Sequence, residues 1–177
     1  MIINIVGGPG TGKSVLAAHT FVKLKIAGHN AEYAQEYAKN LVLTKSFDLL
    51  NNQHYVSMQQ FKILEELDNS CDVVITDGSL LHSLYYNRFH EHFSDKVKTE
   101  EYILEKFHSM NNLVFFLERS GDFAYQQHGR YQNEIEATKI DNELKSILNE
   151  LKIPFISIPA DLESAERILL EVASSTL

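Results

Sequence analysis

The stretch Gly7-Gly8-Pro9-Gly10-Thr11-Gly12-Lys13-Ser14 carries four of the chain's eight glycines and fits the pattern G-x-x-x-x-G-K-[ST]. From average composition, such a match arises by chance in roughly one chain of this length in a hundred or fewer. Its surroundings sharpen the reading. Ile2 to Val6 reads as a buried strand entering the loop, and Val15 to Ala27 as an amphipathic helix leaving it, stopped by Gly28. The glycines let the backbone turn its N–H groups inward toward an anion. The start of the helix adds its dipole and its unpaired donors. Lys13 is then placed to reach the β- and γ-phosphates of a nucleoside triphosphate, and the Ser14 hydroxyl to ligate Mg²⁺. Gly8, Pro9, Gly10, Thr11, Gly12, Lys13, Ser14 and Val15 form the expected nucleotide-binding segment.

Beyond the loop, two kinds of segment alternate. Ala31 to Ala34, Val73 to Thr76, Leu113 to Leu117 and Phe155 to Ile158 are short, apolar and rich in β-branched or aromatic residues, as strands buried on both faces are. Between them, Asn51 to Leu67, Leu80 to Phe89, Thr99 to Met110, Asn133 to Leu151 and Leu162 to Val172 repeat apolar residues at helical spacing. Asp161 is the expected N-cap of the last helix. Such alternation predicts an α/β sandwich with a mostly parallel sheet. The 177 residues suit one domain, and 44% hydrophobic against 23% charged composition predicts an ordered core.

Composition narrows the function classes. A formal charge of −8 argues against a nucleic-acid binder, which needs a basic face. Cys71 is the single cysteine, so neither an internal disulfide nor a Cys-rich zinc site is expected. No apolar run approaches the ~18 residues of a membrane span, and the start has no charged n-region or cleavage site. A soluble, cytoplasmic domain without a membrane partner is expected. His90 and His92 lack further metal ligands nearby.

Other motifs choose among triphosphate users. Thr138-Lys139-Ile140-Asp141 fits the N/T-K-x-D of guanine switches, but it sits in a helix-period segment with no strand before it and reads as coincidence. Remodelling ATPases add a helical lid domain, and only about twenty residues follow the fifth strand, which leaves the small kinases. Asp77 ends the strand Val73 to Thr76, where the carboxyl ends of parallel strands meet the ligand crevice. It is the expected partner of Ser14 at Mg²⁺, and also a good N-cap. After the second strand, Glu36 can serve an acceptor hydroxyl, Tyr37 offers an aromatic face and Lys39 a charge for phosphate. The chain has four arginines, and Arg119 and Arg130 fall where a lid would bring charge to the transferring phosphoryl group.

The phosphate loop, Glu36-Tyr37-Ala38-Lys39, Gln60, Ile75-Thr76-Asp77-Gly78-Ser79 and the pair Tyr85-Tyr86 together resemble the nicotinamide-riboside kinase-like branch of P-loop kinases, small relatives of the AAA-type ATPases. The resemblance covers the whole chain, with the phosphate loop its specific part. It departs at Lys39, where that family has Arg, and at Gln126 to Tyr131, which lacks the acidic residue of the family's lid turn. It implies a three-layer α/β sandwich over residues 1–177, with a five-stranded parallel sheet ordered 2-3-1-4-5 and a lid at about 120–135. It implies ATP and Mg²⁺ as cofactors and phosphorylation of a hydroxyl on a nucleoside-like or other small acceptor. Lys13, Glu36, Asp77, Arg119 and Arg130 are the expected catalytic set, and Tyr37, Lys39, Gln60 and Tyr85 the acceptor contacts. Two alternatives stay open: a kinase acting on a hydroxylated base in DNA or RNA, and a nucleotide-dependent switch or assembly ATPase. Oligomeric state is left open.

Overall fold

The computed structural model describes residues 1–119 and 134–175. Five strands form one sheet: β1 (Ile2–Val6), β2 (Ala31–Ala34), β3 (Val73–Thr76), β4 (Asn112–Glu118) and β5 (Ile156–Pro159). Their order is β2-β3-β1-β4-β5, and every pairing is parallel. The expected three-layer architecture and strand order are thus observed. Central β1 is buried along its whole length, while edge strands β2 and β5 are only partly covered. That difference explains why β1 is apolar at four of five positions and the edges tolerate Glu32, Tyr33 and Ser157.

Strand alternation divides the core in two. Ile3, Ile5, Ile75, Phe115 and Leu117 face one layer, made by α1 (Lys13–Ile26) and the C-terminal helix α8 (Ser164–Ser175). Ile2, Val6, Val74, Val114 and Phe116 face the other, where α4 (Gln53–Asp68), α5 (Leu80–Phe89), α6 (Lys96–His108) and α7 (Glu134–Glu150) supply Leu64, Leu84, Phe107 and Leu144.

Local signals set the helix ends. Gly28 lies one residue past the cap of α1; its amide donates to Lys25 O at 3.1 Å and the His29 amide to Leu24 O at 3.0 Å, a Schellman closure. Asp161 accepts from the Ser164 amide at 2.7 Å, the expected capping role at the start of α8. Helix α6 begins three residues before the expected Thr99, because Asp95 accepts the amides of Val97 and Lys98. Two short helices not expected as separate elements, α2 (Tyr37–Leu43) and α3 (Phe47–Leu50), lie between β2 and α4. Of the expected lid at about 120–135, residues 134 and 135 instead open α7, and the rest lies outside the described residues. Among the described residues no helix is long and apolar enough to cross a membrane.

Parallel pairing with β1 between β3 and β4 puts the carboxyl ends of all five strands on one edge. The residue order along that edge follows the strand order. Glu36 comes just after β2, Asp77 after β3, the phosphate loop after β1 and Arg119 after β4. The site is built on that edge.

Candidate functional site

The loop leaves β1 at Gly7 and enters α1 at Lys13. Gly12 is the N-cap of α1 with φ 89°, a left-handed conformation that glycine adopts without a Cβ penalty. Two contacts brace the loop from within. Thr11, 2% exposed, donates through Oγ1 to Gly8 O at 3.0 Å, and Lys13 Nζ donates to the same oxygen at 2.8 Å. Val15 is exposed and lines the cleft that opens at the loop. The first turn of α1 contains no acidic residue that would compete for an anion.

Asp77 is the hub of the site. It is 2% exposed, its Oδ2 accepts from Ser14 Oγ and its Oδ1 accepts from the Glu36 amide at 3.2 Å. One carboxylate therefore ties Ser14 of the loop to the end of β2. The capping role of that turn falls to Ser79, whose Oγ accepts from the Leu81 amide at 3.2 Å. Thr76 Oγ1 donates to Ala34 O at 2.8 Å and accepts from the Gly78 amide at 2.9 Å, clipping the ends of β2 and β3 together. Gly78 sits so close to the β2 turn that a Cβ there would lie 2.6 Å from Glu36 Cα and 2.8 Å from Gln60 Oε1. Gly78→Ala is expected to push Glu36 away from Asp77 and cost about 1–3 kcal/mol, read by chemical denaturation.

A cleft of about 540 Å³ runs from the phosphate loop past Glu36. It is lined by Lys39, Val42, Gln53 and Gln60 from the segment between β2 and β3, and by Ser79, His82, Tyr85, Tyr86 and His90 from the segment after β3. Gln60 is 3% exposed; its Oε1 accepts from the Tyr37 amide at 2.7 Å and its Nε2 donates to Gln35 O at 3.4 Å, so it also supports the turn carrying Glu36. Tyr85 is nearly buried, stacked on Phe89 at 5.2 Å between centroids and edge-on to Tyr86 at 5.3 Å. Burial, with Glu143 nearby, pushes its phenol up to about 12, so it stays neutral. Tyr37 lies outside the cleft lining, its ring against Tyr55 at 6.2 Å and its hydroxyl 3.3 Å from the Tyr55 hydroxyl.

The electrostatics of the mouth are unusual for an anion site. Burial lowers the Lys13 ammonium from its ordinary value, against the pull of Glu36, Asp77 and Asp141. Burial likewise raises the Glu36 carboxyl, with Lys13 opposing and Asp77 adding to the rise. Arg119 adds to the lowering of Lys13, and Lys39 acts with Lys13 on Glu36.

Those geometries agree with a family comparison: a model described as AAA domain matches residues 2–166. The chain belongs to the AAA domain family. As an AAA domain of the P-loop NTPase superfamily it is a nucleotide-binding, ATP-using protein. The match does not single out the nicotinamide-riboside kinase-like branch. A search of curated proteins gave no match. In this AAA domain the structure brings together the loop, Asp77 and the Glu36 turn singled out in the sequence, and adds two neighbours of the loop that were not.

The first is His82 on α5, whose Nε2 accepts from the Gly7 amide at 3.4 Å. Burial drops its imidazole to about 3, so it is neutral and its proton sits on Nδ1, which has no partner among the described residues. No local signal marks it. The second is Asp141 on α7. The helix reading of Thr138 to Asp141 is correct, but the segment is not inert: Asp141 Oδ1 accepts from the Gly8 amide at 2.5 Å and its Oδ2 pairs with Arg119 Nε at 2.6 Å. A legible sign existed, since Asp141 falls on the stripe of Ala137, Ile140 and Leu144 that α7 buries. Arg119 Nη2 also donates to Pro9 O at 2.8 Å, so Arg119 reaches the loop itself. Arg130 lies outside the described residues.

Proposed function

We propose that this AAA domain is an ATP- and Mg²⁺-dependent phosphotransferase acting on a hydroxyl of a nucleoside-like or other small acceptor. The observation that carries the reading is the cleft: it is continuous with the phosphate loop, and Glu36, a carboxylate not bound to Ser14, stands where the two meet. A switch or assembly ATPase needs no such walled chamber beside the γ-phosphate position. The Glu36-to-Lys39 segment at the cleft and the Asp77 turn beside Ser14 support the finer likeness to the nicotinamide-riboside kinase-like branch.

The donor chemistry suits Mg²⁺. Ser14 Oγ and Asp77 Oδ2 are hard oxygen atoms already in contact, and a Mg²⁺ ion shared with nucleotide phosphates needs only one or two such protein ligands. When bound, the ion would polarise phosphate oxygens and neutralise part of their charge. Lys13 releases Gly8 O and turns to the β- and γ-phosphates. Glu36 orients the acceptor hydroxyl and takes its proton as the oxygen attacks the γ-phosphorus and the bond to the β–γ bridging oxygen breaks, ADP leaving, a role its raised carboxyl suits. Arg119 and Arg130 stabilise charge on the transferring group, while Tyr85 and Tyr86 give the acceptor an aromatic wall and Lys39 a charge at the rim.

A panel of small hydroxyl acceptors incubated with γ-labelled ATP tests this directly. Label transfer to a free nucleoside-like acceptor is expected, with no retention of the protein on DNA or RNA at physiological salt, since the charge of −8 removes the counterion-release term. Preference for the same hydroxyl within an oligonucleotide, with steep salt dependence, would select the polymer kinase. Hydrolysis without transfer, stimulated only by a protein partner, would select the switch.

A further inference from the structure

Gly8 N–H and the Arg119 guanidinium converge on one anion, and that anion is a side chain of the protein. Asp141 fills the place with both oxygens, Oδ1 on the Gly8 amide at 2.5 Å and Oδ2 on Arg119 Nε at 2.6 Å. A backbone amide of a phosphate loop beside a guanidinium is the donor pair that binds a phosphoryl oxygen. At the carbonyl of the same residue, Lys13 Nζ is held on Gly8 O at 2.8 Å. The two cations of the loop are therefore both engaged by the protein itself, Lys13 by a carbonyl and Arg119 by a carboxylate and Pro9 O.

The fit is close. A Cβ on Gly8 would lie 2.6 Å from Asp141 Oδ1 and 2.7 Å from Ala137 O, so α7 rests directly on the loop. The Asp141 side chain is 12% exposed and that of Arg119 22%, so water screens the pair only partly. A phosphate arriving at Gly8 would face this carboxylate at hydrogen-bond range. Both cannot stay, because like charges at such separation in a partly dry site repel strongly.

We propose that Asp141 is an internal stand-in for a nucleotide phosphate, and that polyphosphate binds by exchange: a phosphoryl oxygen takes the Gly8 amide and Arg119 as the Asp141 side chain turns away. The ligand class is a nucleoside triphosphate or inorganic tripolyphosphate. The exchange requires only nucleotide binding, so it holds whether or not the phosphoryl group is passed to an acceptor. It also gives α7, the first element after residues 120–133, a direct link to the occupancy of the loop.

Isothermal titration with ATP·Mg²⁺, tripolyphosphate and adenosine separates the outcomes. Asp141→Asn keeps the shape and removes the charge, and Asp141→Ala removes the competitor. Both are expected to bind ATP and tripolyphosphate about tenfold more tightly than wild type, with adenosine affinity unchanged. Equal or weaker polyphosphate binding in both variants overturns the proposal and leaves Asp141 a structural tether. Wild-type protein provides a second measurement that needs no variant to fold. The carboxylate ¹³C resonance of Asp141 is expected to move toward the free-aspartate position on saturation with tripolyphosphate, and a resonance that stays in place overturns the exchange. Failure of acceptor phosphorylation with the exchange intact would instead count against the kinase reading alone.

Discussion

Lys13→Ala is expected to reduce ATP-dependent turnover by about 10²–10³-fold, the loss typical of removing one preorganised charge from a phosphoryl-transfer site. The fold should survive. Lys13 makes a single described hydrogen bond, to Gly8 O, and belongs to neither hydrophobic cluster of the core. Burial already lowers its pKa, so the folded protein bears a cost to keep it charged, and the variant should melt no lower than wild type. The same shift sets an alkaline limit. As pH rises through the lowered pKa the ammonium is lost earlier than for a free lysine, and nucleotide affinity falls with it. Turnover, melting temperature and ATP affinity against pH check these three points together. Unchanged turnover in Lys13→Ala would remove the loop from the catalytic site.

The second large effect separates the two carboxylates. Asp77→Asn should raise the Mg²⁺ concentration needed for half-maximal activity at least tenfold, because Asp77 holds Ser14 and supplies the charged oxygen beside it. Glu36→Gln should instead lower transfer by about 10²–10⁴-fold with ATP affinity nearly unchanged, the signature of a lost proton acceptor. The pH profile distinguishes them further. Burial raises the Glu36 carboxyl, so the acid side of the wild-type profile should fall away above the ordinary glutamate range, as protonation removes the base. Glu36→Gln should lose that limb along with the rate. If both variants show the same metal defect, Glu36 has no acceptor role and Asp77 serves both purposes. Partial coupling has a structural route, since the Glu36 amide donates to Asp77 Oδ1 at 3.2 Å.

How far the sequence carries depends on whether a feature is local. The phosphate loop was legible because glycine geometry, a preceding apolar strand and a following helix all act within about twenty residues. The inner strands β1 and β3 were legible for the same reason: burial on both faces leaves few polar residues in Ile2–Val6 or Val73–Thr76. Asp77 and Glu36 could be placed because each ends or follows such a strand, and parallel strands end on one side. Tyr37 shows the limit of that reasoning. It was expected at the acceptor on sequence position, but the tertiary packing sets it against Tyr55, while Gln60 takes its amide.

The strand order 2-3-1-4-5 could be inferred only by resemblance, and it decides which groups face the loop. It puts Asp77 on one side of Gly7 to Ser14 and Arg119 on the other. His82, 75 residues from Gly7, and Asp141, 133 residues from Gly8, reach the loop only through helix packing on the sheet. Charge and side-chain type at those positions carry no record of the distant backbone amide they meet. By itself, therefore, the sequence determined that this protein has a phosphate loop on an α/β sheet, because those requirements are met by neighbours in the chain. Tertiary structure alone decided that a carboxylate of α7 sits on that loop beside Arg119, because their meeting depends on where α7 and the strand ends come to rest.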